Sequence, residues 1–156
     1  MRVRVLAVGT RMPAWVRSAC QDYLTRLKGS FPVTLSEIEP AARGASADPA
    51  RAIAEEGRRL LAALKPQEFA AVLDERGSEF STRELAQWLQ GRMQAGADLA
   101  FLVGGADGFA PQVLQRANLR LSLSRLTLPH ALARVLLAEQ LYRAHSILVN
   151  HPYHRD

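Results

Sequence analysis

An α/β domain built on a mostly parallel sheet flanked by helices is the architecture this sequence predicts, on three observations. Short Val- and Leu-rich runs alternate with amphipathic helical runs along the chain, the order that builds strand–helix–strand units. Residues 99 to 103 are apolar throughout, as in a strand covered on both faces. At 156 residues, with no Pro/Gly/Ser-rich linker, internal repeat or low-complexity segment, the chain can build one full core, so a single domain over residues 1–156 is expected.

Taken in order, residues 2 to 8 alternate polar and apolar side chains and are rich in Val, a strand ended by Gly9 and Thr10. After Pro13, Trp15, Val16, Ala19, Tyr23, Leu24 and Leu27 recur three and four apart, an amphipathic helix stopped by Gly29. Residues 31 to 39 repeat the strand pattern, and residues 40 to 48 form a loop containing Arg43 and Gly44. Asp48 is placed as an N-cap with Pro49 at the first helical position, and that helix runs to about Leu64, before Pro66. Residues 69 to 73 make a short apolar strand closed by Asp74. Ser81 and Glu84 have capping-box spacing for a helix through Met93 that ends near Gly96. Beyond the buried strand at 99 to 103, a short helix at 111–118, a fifth strand at 119–123 and a long terminal helix at 132–148 complete the pattern. In that last helix Leu132, Val135, Leu136, Leu137, Leu141, Tyr142, Ile147 and Leu148 cover more than one stripe. One face packs on the sheet, and a partner subunit is the simplest body for another.

With 48% hydrophobic and 22% charged residues, the composition is that of a folded soluble protein. The N-terminus lacks a signal-peptide core and no apolar run approaches ~18 residues, so no membrane association and a cytoplasmic location are expected. Cys20, the single cysteine, excludes an intrachain disulfide and a Cys-based metal site, and reads as a small buried hydrophobe on the first helix. The net charge of +5 is local: residues 109 to 156 carry six Arg against Glu139 and Asp156, whereas residues 1 to 108 carry 14 basic and 13 acidic side chains. Such a field suits a polyanionic partner.

Four features of the last third carry chemistry. Gly104, Gly105 and Gly108 follow the buried strand, where α/β sheets bind ligands. Their spacing is not GxGxxG and they open no helix, so they are either a ligand-approach turn without a phosphate cradle or a plain tight turn. Residues 121 to 129 alternate Leu with Ser, Arg and Thr before Pro129, which fits an edge strand and loop or an extended segment offering free amides to a cofactor lacking phosphate. Glu139 and Arg143 lie four apart on the terminal helix, with Arg134 on a different face. The tail of Asn150, His151, Pro152, Tyr153, His154 and Arg155 is either a loose chain end or a surface for stacking on a base and gripping a phosphate. A metal would need His151, His154 and a third ligand such as His145 to converge with no carboxylate spaced to help, so no metal is expected.

At GTRMPAWV (9–16), LVGGADG (102–108), LSLSRLTLPH (121–130), EQLYRA (139–144) and NHPYHRD (150–156) the sequence closely resembles the bacterial large-subunit ribosomal RNA methyltransferase H family. These are small members of the SPOUT class of S-adenosyl-L-methionine-dependent RNA methyltransferases. The resemblance implies an α/β fold with a C-terminal trefoil knot, a homodimer, and methylation of ring nitrogen N3 of a pseudouridine in helix 69 of 23S rRNA in the assembled 70S ribosome. Periodicity alone gives an ordinary open sheet, since threaded chains are rare. By position, Leu73, Gly104, Gly105, Leu123, Ser124, Arg125, Leu126, Thr127 and Leu128 are implied as the cofactor pocket, and Arg143, Tyr153, His154 and Arg155 as the catalytic, substrate-side set. The family's usual turn has Pro-Glu where this chain has Ala106 and Asp107, a shortened acid. With the pocket at a dimer interface, the tail of one subunit would complete the site of the other. The imide proton would be removed either by a base, His154 or a water it holds, or through electrostatic lowering of the imide pKa alone, and Arg143 or Arg155 would steady the uracil oxygen. A non-catalytic ribosome-binding module is the alternative, and it predicts no cofactor binding.

Overall fold

In the computed structural model, which describes all residues except 28, 30, 45–47 and 156, five parallel strands form one sheet in the order β2-β1-β4-β3-β5. The strands are β1 (Val3–Val8), β2 (Val33–Ile38), β3 (Phe69–Glu79), β4 (Leu99–Val103) and β5 (Leu119–Ser122). The helices are α1 (Ala14–Arg26), α2 (Pro49–Ala63), α3 (Thr82–Ala95), α4 (Pro111–Arg116) and α5 (His130–Leu148). Part of the expected 40–48 loop, and Asp156 of the tail, lie outside the described residues.

Period-two alternation sends side chains of the central strands to two separate cores. Val3, Val5, Ala7, Ala71, Leu99, Phe101 and Val103 face α3 and α5, where they meet Leu85, Leu89, Leu137 and Leu141. Leu6, Val8, Ala70, Val72, Ala100 and Leu102 face α2 and α4, against Leu60, Leu64 and Val113. Because both faces are covered, β4 is buried at every position. A third cluster, Met12, Val16, Cys20 and Ala138, joins α1 to α5. Arg4, in β1, is held by Glu68 through Nε at 2.7 Å and Nη2 at 2.6 Å.

Local signals act as expected at Asp48, whose side chain accepts from the Ala50 amide, and at Ser81 and Glu84, which form a reciprocal capping box. β3 differs. It does not close at Asp74: after pairing Leu73 with Leu121 it loops out over Asp74, Glu75, Arg76 and Gly77, then pairs Ser78 with Leu121 and Glu79 with Ser122. Gly77 permits the return, because a Cβ there would lie 2.5 Å from the carbonyl of Arg120. α5 begins two residues earlier than its apolar pattern, because Pro129 sits extended as its N-cap. Leu132 and Leu136 are half-buried and belong to none of the three core clusters. Among the described residues no helix is long and apolar enough to cross a membrane.

Candidate functional site

β3, β4 and β5 all end at the same edge of the sheet, and a cleft of about 930 Å³ opens there. Its floor is the glycine turn. Gly108 adopts φ +82° and donates its amide to the Gly105 carbonyl at 3.2 Å. A Cβ on Gly105 would lie 3.1 Å from both the Glu56 carboxylate and Val8, so the turn rests directly on α2 and β1. Glu56 is 2% exposed, and its charge is met by the Arg43 fork at 2.7 and 3.0 Å and by the Ala41 amide at 3.0 Å. The same guanidinium reaches Asp107 through Nε at 2.8 Å. Its hydrogen bonds to Glu56 and then Asp107 raise the Arg43 pKa above the ordinary value. Asp107 therefore ties the turn to the loop before α2.

The opposite wall is the segment between β5 and α5. Ser122 donates its hydroxyl to the Ser124 carbonyl at 2.9 Å, and the Leu126 amide donates to Ser124 Oγ at 2.9 Å. Thr127 Oγ1 donates to Glu75 at 3.0 Å, joining this wall to the β3 excursion. Leu73, Gly104, Gly105, Leu123, Ser124, Leu126, Thr127 and Leu128 all line the cleft. Arg125 does not: its side chain is 87% exposed and its Nε lies 4.0 Å from Glu79. Sequence reasoning missed the Asp74, Glu75 and Arg76 lip and the α5 entry at His130 and Ala133, which also line it. The lip carries only turn-like residues and gave no signal; His130 was legible as the end of the LSLSRLTLPH run.

The tail folds back onto the far end of α5. Asn150 takes φ +55°, and the His151 amide donates to the Ser146 carbonyl at 2.8 Å. Glu139 Oε1 accepts from Arg143 Nε at 2.8 Å and from the Tyr153 hydroxyl at 3.1 Å. The Tyr153 ring packs tilted against Tyr142, centroids 4.6 Å apart, with the Arg143 guanidinium 5.0 Å from its ring. Burial, then hydrogen bonds to Tyr23 and Glu139, hold the Tyr153 phenol well above its ordinary pKa, so it stays a neutral donor. His154 Nδ1 lies 3.3 Å from Ser146 Oγ, while Arg155 is exposed at the chain end. Glu139, Tyr142 and Ser146 thus organise a set that the tail residues alone only half reveal.

None of Arg143, Tyr153, His154 and Arg155 lines the cleft. From Ala133 to Arg143 is ten residues of helix, about 15 Å of rise, so one chain keeps its two sets apart. Among the described residues no three His, Cys, Asp or Glu side chains are grouped as a metal would need.

The family model described as "Predicted SPOUT methyltransferase" matches residues 1–154. The chain is 51% identical over 156 residues to the ribosomal RNA large subunit methyltransferase H of Thiobacillus denitrificans, covering all of both chains. It is 53% identical over 155 residues to the protein of that name from Chromohalobacter salexigens, covering 99% of this chain and all of that one. The chain belongs to the ribosomal RNA large subunit methyltransferase H family of SPOUT methyltransferases. Two solved structures share the fold. A probable methyltransferase from Bordetella pertussis has a TM-score of 0.58 at 20% identity, over 92% of this chain and 95% of that one. A probable methylase family protein from Haemophilus influenzae has a TM-score of 0.59 at 15% identity, over 99% and 70%. Asp107 of the glycine turn is held in a defined place by Arg43.

Proposed function

We propose that this chain is a 23S rRNA methyltransferase that moves a methyl group from S-adenosyl-L-methionine to N3 of a pseudouridine in helix 69 of the assembled ribosome, in the cytoplasm. The observation that carries the proposal is the cleft. It lies at the carboxyl edge of a SPOUT-type sheet, is floored by a glycine turn with no phosphate cradle, and falls within the ~300–1,000 Å³ range of small-molecule sites. It occurs in a chain about half identical, end to end, to proteins named for methylating large-subunit ribosomal RNA.

The residues present fit that cofactor. Leu73, Leu123, Leu126 and Leu128 offer apolar walls for a purine, and the irregular backbone of residues 123–128 offers amides and carbonyls for its edges. When bound, the cofactor supplies an electrophilic methyl group on a sulfonium. The chain's own residues must hold the acceptor base and remove its N3 proton. Arg143 and the exposed Arg155 supply positive charge for the uracil oxygen, Tyr153 supplies an aromatic face, and His154 is the base.

Separation of the two sets supports a homodimer. The α5 N-terminus lines the cleft and its C-terminal end carries the tail, so two α5 helices packed antiparallel about a two-fold axis bring one chain's tail to the other's cleft. Half-buried Leu132 and Leu136, outside the cores, suit that contact. A C-terminal trefoil knot, formed where the β3 excursion meets the segment before α5, is part of the same proposal.

The test is calorimetric titration with S-adenosylmethionine, followed by methyl transfer to 70S ribosomes and to protein-free 23S rRNA. Saturable binding and transfer to ribosomes is the expected result. Folded protein that binds no cofactor at millimolar concentration would instead be a non-catalytic ribosome-binding module.

A further inference from the structure

We infer that Ser146 is a positioning residue that holds neutral His154 in its Nδ1–H form, leaving Nε2 open as a proton acceptor; the use made of that lone pair rests on the methyl-transfer proposal.

Ser146 lies in the last turn of α5 and is 0% exposed. Its hydroxyl is 2.7 Å from the Arg143 carbonyl, three residues back. A carbonyl only accepts, so the hydroxyl hydrogen is committed there, the usual back-bonding of a helical serine. The same oxygen lies 3.3 Å from His154 Nδ1 and, its hydrogen spent, can only accept. Nδ1 therefore carries the hydrogen, and the neutral ring has its lone pair on Nε2.

His151 has the opposite form. The Tyr153 amide donates to His151 Nδ1 at 3.2 Å, which places that ring's lone pair on Nδ1, inside the tail's own turn, and its hydrogen on Nε2. His145 packs edge-on to Phe31 at 5.3 Å, and burial, then the nearby His151, lowers its pKa. Of the two tail histidines, His154 is thus the one whose hydrogen-bond partner leaves its accepting nitrogen open. When the substrate's N3–H bond breaks, the hydrogen passes to Nε2 as a proton and the electron pair stays on the uracil ring. The resulting imidazolium keeps its Nδ1–H on Ser146, so its hydrogen bond needs no rearrangement on protonation.

The experiment is long-range ¹H–¹⁵N correlation of the histidine rings in the full-length protein at a pH where they are neutral, for wild type and Ser146→Ala. Wild type should show His154 protonated on Nδ1 and His151 on Nε2. Ser146→Ala should move His154 toward the Nε2–H form while His151, the internal control for an intact tail, stays unchanged. Turnover on ribosomes should fall roughly two- to tenfold, the value of one hydrogen bond, with cofactor affinity unaltered. Finding His154 on Nε2 in wild type, or unmoved by the substitution, overturns the inference. The expected ring signals in a protein that methylates no ribosome would leave the tautomer standing and remove the functional proposal.

Discussion

Gly77 lies where the returning part of β3 rests on β5, and a Cβ built there sits 2.5 Å from both C and O of Arg120 and 2.8 Å from the Leu121 nitrogen. Ordinary contact begins near 3.4 Å, so Gly77→Ala forces the two strands apart by about 1 Å in a close-packed sheet. Overpacking costs about 1–3 kcal/mol, and the obstacle here is backbone, which has no rotamer to yield. Loss of the Ser78–Leu121 and Glu79–Ser122 pairing would add about 0.5–1.5 kcal/mol per hydrogen bond. The expected destabilisation is therefore about 3 kcal/mol. In urea unfolding at fixed protein concentration, with a slope of about 2–3 kcal/mol per molar, the midpoint should fall by about 1 M. Cofactor affinity should fall as well, because the displaced loop carries the Asp74–Arg76 lip of the cleft. Gly91→Ala is the control: nothing lies within 4 Å of its added Cβ, and alanine in the middle of α3 should gain about 0.5–1 kcal/mol. A loss below about 0.5 kcal/mol in Gly77→Ala would refute the account of the β3 return.

Two further substitutions test the ion pairs. Burial acts to raise the Glu68 pKa and is the largest single influence, but the Arg4 hydrogen bond, the Lys65 amide and the nearby positive charges hold it below the ordinary value. Its contribution is therefore complete above the unfolded value of about 4.3 and is lost as pH falls through the folded value, so Glu68→Gln should cost about 2–3 kcal/mol at pH 7 and flatten the stability–pH curve below about pH 4.3. Glu139→Gln weakens the anchor shared by Arg143 and Tyr153, and should raise the KM for ribosomes while leaving cofactor affinity, measured by calorimetry, within about twofold.

What the sequence disclosed followed the range of the interactions. Capping by Asp48 and by Ser81 with Glu84 is decided within four residues, and the all-apolar run of β4 follows from cover on both faces, so each was legible. The return of β3 was not, because Asp74 to Gly77 spell a turn, and only the distant backbone of Arg120 shows why Gly77 is there. Glu56 carries no signal of its own among the charges of α2, and only the fold brings Arg43 and Gly105 to it. Arg125 sits in the segment that lines the cleft yet points outward, a matter of side-chain direction that spacing does not carry. In sequence the tail reads as either a loose end or a binding surface, and Tyr153 and His154 are tied to Glu139 and Ser146 on the preceding helix, contacts that spacing does not disclose.

Cleft and tail lie at opposite ends of α5, and the account requires them to meet between chains. The measurement that tests this most directly mixes a cleft-blocked variant, Gly104→Val, with a tail variant, His154→Ala, through unfolding and refolding, and assays methyl transfer to ribosomes. Each variant alone should be inactive. In the mixture about half the dimers are mixed and each holds one intact composite site, so activity should return to about a quarter of wild type. No recovery, with mixed dimers shown to form, would place cleft and tail of the same chain in one site and contradict the account.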